Sequence, residues 1–502
     1  MRISKYQYLK SMCAHAPLPL LPLEAKLAPE ARSPLPLPLS ILDFPPLSLR
    51  TIHPLYPMTI TTLAQTLSDT ERVAIKAATE DLLSEAVQLL KDLTDIDTTN
   101  PPGLNYPQIA SVLDKFLSSK GYEVKQIPVP LELHPELVPF SDLPRVNVFA
   151  RLKPKSPSSD KGRVIHFNGH VDVVPVADTE QWTHPPFQTT VSDGVIYGRG
   201  VSDMKGGIVA QIFAIEALRK AEIPIRGTIE QSGVVDEETT GIRNAGMGYL
   251  VEQGYIARGK QDAVIITEPL NTNNVCLGHR GTIWGRIVFK GLASHGSTPQ
   301  RGVNALLHAS LVVAEAHRTI TPRLKKLTDK YVVPPEAQAA SLTFTVLNSG
   351  TNTNTVPASA TLEFDRRLVP GEKLDKAREE IHAVLNSVKE QVGEDFHAEY
   401  SELYSTDPIW VGNSKDPTAQ ELIGHVKSAI NNVLNVEAGV VCSPGSDDQR
   451  FVVRNAGIDS CIVYGPGNIR NVHNKDESLS LEDLRTAIEV MAIFTAEFLN
   501  NA

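Results

Sequence analysis

With 502 residues the chain is long enough for two domains, and with 41% hydrophobic and 21% charged residues it has an ordinary soluble, globular composition. A formal net charge of −10 argues against nucleic acid as a partner. No run of about 20 apolar residues occurs, so neither a transmembrane helix nor a membrane partner is expected.

Residues 1–57 repeat Pro-Leu units, as in PLPLLPLE and SPLPLPLS, and carry almost no acids. Proline at alternate positions blocks both helix and central strand, so an extended or disordered tail is expected. Arg2, Lys5 and Lys10 precede an apolar stretch, the start of a targeting pattern. The prolines break any h-region helix, and no amphipathic Arg-rich helix follows. A cytoplasmic location is therefore expected, with a mitochondrial signal, or an artificial extension ahead of Met58, as the alternatives. Cys13, Cys276, Cys442 and Cys461 show no CxxC spacing and read as a reduced, intracellular set.

From Ser68 the pattern turns helical. SDTERVAIKAATEDLLSEAVQLLKDLTDI spaces its apolar residues by three and four, with Ser68 as N-cap. TTNPPG interrupts it, and a second amphipathic helix, YPQIASVLDKFLSSKG, ends at Gly121. Strands and helices then alternate through Glu268, the rhythm of a largely parallel sheet covered on both faces. After Gly281 the order becomes strand, helix, strand, strand, helix, strand, the ferredoxin-like unit. The expected fold is α/β. A catalytic domain of residues 58–280 and 403–502 forms around a mostly parallel sheet, and a ferredoxin-like domain of residues 281–402 is inserted in it.

Two histidines and several carboxylates follow runs that read as buried strands. VIHF precedes His170 and Asp172, TIEQSGVV precedes Asp236, Glu237 and Glu238, AVII precedes Glu268, and CIVY comes shortly before His473. Asp203 lies in GRGVSDMKGG, just ahead of a helix whose positive N-terminal end favours carboxylates. Residues that follow the strands of an open α/β sheet gather at one edge, so these side chains are expected to converge. Nitrogen and oxygen donors without thiolate suit Zn2+, and also Co2+ or Mn2+. His170, His473, Asp203, Glu238 and Glu268, with one Glu left over, exceed the needs of a single ion. Two ions about 3.5–4 Å apart and sharing a carboxylate would use five residues and leave a sixth acidic group as general base.

In the insert, His295 lies in a Gly- and Ser-rich loop, GLASHGSTPQRG, rather than on an apolar face. Asn354 lies in TNTVP, and Arg366 and Arg367 in FDRR. Strand alternation sends the two arginines to opposite faces, so only one can point into a cleft.

The ordered series FNGHVDVVP, WTHPPFQTTVSDGVIYGRGVSDMKGG, VVDEETTG, ITEP, GLASHGSTPQRGVNAL and YGPGNIRNVHNKDES resembles the M20 family of metallopeptidases and amidohydrolases. The likeness is to the branch with acetylornithine deacetylase and succinyl-diaminopimelate desuccinylase, and it runs from Leu83 to the C-terminus. It implies that His170, Asp203 and Glu268 hold one ion, and that Asp203, Glu238 and His473 hold the other. It implies that Glu237 is the general base and that Asp172 orients His170 from behind. The insert is then a lid and dimerisation domain of a homodimer. His295 would reach the other subunit's metal centre and support the tetrahedral oxyanion. Asn354 and Arg367, rather than Arg366, would bind a substrate carboxylate, for which the planar guanidinium fork is suited. Asp448 and Arg450, in GSDDQRF, match a segment that touches substrate. The resemblance also implies a cis Asp203–Met204 peptide.

The expected activity is metal-dependent hydrolysis of the amide bond of an N-acyl amino acid with a free carboxylate, a C–N bond not internal to a protein. Glu268 favours this reading, because within the family Glu here goes more with deacylases and Asp more with many of the peptidases. The alternatives are a carboxypeptidase or dipeptidase acting on short peptides, and a non-catalytic homologue that only binds metal or ligand. The full set of ligands and base speaks against the last.

Overall fold

A computed structural model describes residues 66–130, 143–154, 162–238 and 244–500; the proline-rich tail lies outside them. Ser68 caps the first helix, Asp69–Thr94. Its Oγ accepts the Glu71 amide while the Glu71 carboxylate accepts the Ser68 amide, a capping box. The second helix, Tyr106–Ser119, stops before Gly121, whose φ of +86° an L side chain resists.

Among the described residues the central sheet has nine strands. Its middle consists of Thr228–Val234, Val164–His170, Ala263–Ile266 and Cys461–Val463, in that spatial order and all parallel. These strands are buried almost throughout, as expected of strands enclosed on both faces. Antiparallel strands flank them, Val146–Leu152 on one side and Asn274–His279 on the other, so the sheet is mixed with a parallel centre. The helices Asp69–Thr94, Lys205–Lys220, Leu481–Asn500 and Pro417–Leu434 pack side by side next to it. Among the described residues no helix is long and apolar enough to cross a membrane.

A second, four-stranded sheet is antiparallel throughout. Its spatial order is Ser341–Ser349, Ser359–Leu368, Gly281–Lys290, His397–Thr406. With the helices Ala305–Thr319 and Leu374–Val392 in sequence between them, these strands have the ferredoxin-like order. Ile287, Phe289, Leu362 and Phe364 meet Val312, Ile381 and Val384 in an apolar core separate from that of the large sheet. The last strand continues past residue 402 to Thr406. An irregularity between Glu402 and Tyr404 lets pairing with Gly281–Lys290 resume beyond it. Ile409–Trp410 then pairs with Asn274–His279, which returns the chain to the large sheet.

Candidate metal centre

Parallel strands place their C-terminal ends at one edge, and the site is built there. His170 is the last residue of its strand. Glu237 and Glu238 follow Thr228–Val234, and Glu268 follows Ala263–Ile266. Asp203 occupies the turn before the helix Lys205–Lys220, and its peptide to Met204 is cis. Gly207 lets this helix start close to the Glu268 loop: a Cβ there would lie 2.0 Å from the Thr267 carbonyl oxygen.

Asp203 divides its oxygens between two histidines. Oδ1 is 3.1 Å from His170 Nε2, and Oδ2 is 3.1 Å from His473 Nε2. Glu268 Oε1 lies 3.4 Å from His170 Nε2, and Glu238 Oε2 lies 3.2 Å from His473 Nε2. Two triads result, His170–Asp203–Glu268 and Asp203–Glu238–His473, each with its ligand atoms within 4.8 Å of one another. Four ligands about 2.0–2.1 Å from a central Zn2+ are separated by about 3.3 Å along the edges of their tetrahedron. The observed separations match that spacing, and the nitrogen and oxygen donors suit the same ion.

The electrostatics point the same way. Burial pushes Glu238 up to about 7, with Asp203 adding to the effect, and pushes Glu237 and Glu268 well above the usual carboxylate range. Hydrogen bonds that it donates to Asp203 and Glu238 hold His473 up to about 11. Burial works against charge on His170, but Glu268 and Asp203 hold its imidazolium up. Four crowded carboxyl groups thus draw on the two imidazoles and on Arg450 for positive charge, and Asp203, bonded to both histidines, is the one held below the usual carboxylate range. Oε1 of Glu237 and of Glu238 are buried without a hydrogen-bond partner among the described residues, as expected of atoms facing an ion or its water.

The acidic triplet splits. Asp236 adopts φ +60° and turns away from the cluster. It accepts Arg145 Nε at 2.9 Å, Tyr106 Oη at 3.0 Å and Asn100 Nδ2 at 3.1 Å. Glu237 is buried, belongs to neither triad, and lies 3.7 Å from Arg450 Nη1. Asp172 reaches His170 Nδ1 through its main-chain carbonyl, at 3.0 Å, rather than through its carboxylate, at 3.6 Å. That carboxylate instead accepts Asn100 Nδ2 and the main-chain N–H of Glu237 and Glu238.

Asp448 is buried with both oxygens accepting side-chain amides, those of Asn168 at 3.1 Å and Asn244 at 3.3 Å. Arg450 is buried too, stacked on Phe451 and near Tyr404, with Nε and Nη2 unpartnered among the described residues. His295 and Asn354 are exposed and adjacent. Strand residues Ser294–His295 pair with Thr355–Val356, and the Asn354 carbonyl accepts the Gly296 amide. The Ser297 amide donates to His295 Nδ1, so the neutral ring carries its proton on Nε2. Arg366 has no exposed side-chain surface and pairs with Glu372, whereas Arg367 is 26% exposed and pairs with Asp365. Among the described residues, no hydrogen bond or ion pair joins His295, Asn354 or Arg367 to the carboxylate cluster.

Several supporting residues lie inside the same motifs as the candidate ligands but receive no role from the sequence alone. Lys205, fully buried and pushed down to about 7 by that burial, donates to the carbonyls of Leu93 and Ile96 at the end of the first helix. Glu477 and Arg199 form a buried ion pair at 2.7 Å beside the Asp203 turn. A charged residue inside an otherwise apolar stretch, such as Lys205 before GGIVAQIFAI, is the signal that marks one of them.

The profile of peptidase family M20/M25/M40 matches residues 166–497. A succinyl-diaminopimelate desuccinylase of Hydrogenovibrio crunogenus is 26% identical over 421 residues, which is 81% of this chain and 97% of that protein. The M20 family metallo-carboxypeptidase of Sulfolobus solfataricus superposes with a TM-score of 0.65 at 18% identity, covering 83% of this chain and 99% of that one. A dinuclear metal binding M20 peptidase of Bacillus subtilis does so with a TM-score of 0.59 at 16% identity, covering 84% and 100%.

Proposed function

Because the chain belongs to peptidase family M20/M25/M40, we propose that it hydrolyses the amide bond of an N-acyl amino acid whose free carboxylate it grips, as a deacetylase or desuccinylase does. The observation that carries this reading is the pair of triads sharing Asp203, with Glu237 buried next to Glu238 and outside both. His170, Asp203 and Glu268 would hold one divalent ion, and Asp203, Glu238 and His473 the other. Zn2+ is the first choice, with Co2+ or Mn2+ as alternatives. When bound, the ions supply Lewis-acid polarisation of the amide carbonyl and make water at the site more acidic.

The chain's own groups do the rest. Glu237 takes the proton of the attacking water and passes it to the leaving amine. Asp172 holds the main chain of Glu237 and Glu238 in place. The insert, expected at residues 281–402 and reaching Thr406 in the small sheet, serves as a lid and dimerisation domain on the catalytic domain. Across that homodimer His295 of the partner subunit donates from Nε2 to the oxygen of the tetrahedral adduct. Arg367 and Asn354 bind the substrate carboxylate. Arg450 faces the substrate next to Glu237, with Asp448 behind it.

A peptidase reading shares the same carboxylate grip, and the likeness to a carboxypeptidase favours it as second choice. A panel of N-acetyl and N-succinyl amino acids and dipeptides, assayed with added Zn2+ or Co2+, separates the two. Turnover of an N-acyl amino acid that is lost on chelation and regained with metal is the expected result. Cleavage of dipeptides alone would move the assignment to a peptidase. Inactivity towards every member of the panel with both ions bound would leave a metal-binding homologue.

A further inference from the structure

Glu477 is 1% exposed and belongs to neither triad. Its Oε1 accepts the main-chain N–H of Gly200 at 3.1 Å, of Ser202 at 3.0 Å and of Asp203 at 3.0 Å. Its Oε2 accepts Arg199 Nη1 at 2.7 Å. Three amides of one turn converge on one oxygen, the concave arrangement that elsewhere captures a free anion. Here the anion comes from the same chain. The turn bends for it at Gly200, whose φ is +87°.

Glu477 stands on the loop that carries His473. Its main-chain carbonyl accepts the Gly198 amide at 3.0 Å, and the strand Ser478–Ser480 pairs with Val195–Tyr197. One carboxylate therefore joins the loop of Asp203 to the loop of His473. A buried carboxylate is costly unless fully partnered, and this one spends most of its partners on a single turn.

We propose that Glu477 is a positioning residue that sets Asp203 against His473, at 3.1 Å between Oδ2 and Nε2, and so fixes the affinity of the Asp203–Glu238–His473 triad for its ion. The inference rests on reading the two triads as metal sites. The triad His170–Asp203–Glu268 contains no residue of the His473 loop and depends on the clamp less. Glu477→Gln keeps an acceptor oxygen but loses the charge that pairs Arg199. Glu477→Asp keeps the charge but is one methylene too short to reach all three amides.

The test is calorimetric titration of the chelator-stripped, full-length protein with Zn2+, alongside circular dichroism and the melting temperature. The wild type is expected to take up two ions. Both variants are expected to weaken one binding event by about 10–100-fold, the usual effect of losing a group that supports a ligand, and to leave the other nearly unchanged. The weakened event should be the one missing in His473→Ala, so adding Glu477→Gln to His473→Ala should cost the remaining ion little. Asp476→Asn, which removes a neighbouring carboxylate bonded to Thr183 and His184, should bind both ions as the wild type does.

Two unaltered binding events in a folded Glu477→Gln protein, or equal weakening of both, would overturn the clamp and leave the metal reading standing. Glu477→Asp decides the matter if Glu477→Gln does not fold. If neither folds, the carboxylate is a folding determinant and the positioning role is withdrawn. A wild type that takes up fewer than two ions would overturn the metal reading, and this inference with it.

Discussion

Asp172 holds the main chain of Glu237, accepting its N–H at 3.2 Å, and with its other oxygen accepts that of Glu238 at 3.0 Å. A residue two positions beyond His170 thereby sets the backbone of the strand end that carries Glu237 and Glu238, the proposed base and a proposed metal ligand. Asp172→Ala should weaken metal binding by about 10–100-fold and lower turnover further. Asp172→Asn, with one acceptor oxygen left, should fall between. Metal titration paired with steady-state kinetics checks the order. A Asp172→Ala protein with wild-type metal affinity would contradict it.

Glu237 can be separated from the ligands by mutation. Glu237→Ala should keep both ions, because it belongs to neither triad, and lose about 10²–10⁴-fold in turnover, the usual cost of a missing general base. Metal analysis and kcat on the same preparation decide this. Full activity would remove Glu237 from the mechanism.

The two arginines of FDRR should fail in different ways. Arg366→Ala leaves Glu372 without its buried partner and should destabilise the protein by about 3–5 kcal/mol. Arg367→Ala loses only a partly exposed pair with Asp365, so its melting temperature should hardly move while KM rises. The reverse pattern in thermal melts and kinetics would exchange their roles.

If His295 acts across a dimer, His295→Ala and Asp203→Ala proteins should each be nearly inactive, and their mixture should regain activity. In a heterodimer one site has both an intact metal centre and an intact histidine. No recovery in a mixture shown to exchange subunits would sink the idea.

His279 gives a pH dependence that does not involve the metal ligands. It ends the strand Asn274–His279, is fully buried, and its Nε2 has no partner among the described residues. Burial pushes it from its ordinary 6.5 down to about 3. The folded ring therefore stays neutral while the unfolded chain takes up a proton below 6.5. Its contribution to stability is complete above pH 6.5 and is lost as the pH falls towards 3, at about 1.4 kcal/mol per unit. Denaturant midpoints of wild type and His279→Asn should therefore converge, or cross, as the pH is lowered from 7.5 to 4.5. A constant difference would mean that His279 titrates normally.

The candidate ligands that the structure brings together, and the strands that present them, are legible in sequence because each lies near a strand or helix end with a strong apolar pattern. Ser68, His170, Glu268 and the alternation of Arg366 and Arg367 are of this kind. Asp236 is not. It sits in the same acidic triplet as Glu237 and Glu238, and only its left-handed backbone and partners 91 and 130 residues away, Arg145 and Tyr106, show that it faces the other way. Glu477 escapes for the same reason, since the amides it accepts lie more than 270 residues earlier. The reach of the small sheet to Thr406 depended on an irregular pairing at Glu402 that apolar alternation does not encode.

Lys205 ties the Asp203 turn to a helix that lies outside the family-matching span. Its ammonium rests on the carbonyls of Leu93 and Ile96, and Asp236 rests on Asn100, Tyr106 and Arg145. All of these partners precede residue 166, where the match begins. A fragment trimmed to 166–497 would therefore strip Lys205 of both carbonyls it donates to, and Asp236 of the three side chains it accepts from. In this chain the span that the family profile matches is shorter than the span whose side chains hold the site's buried charges.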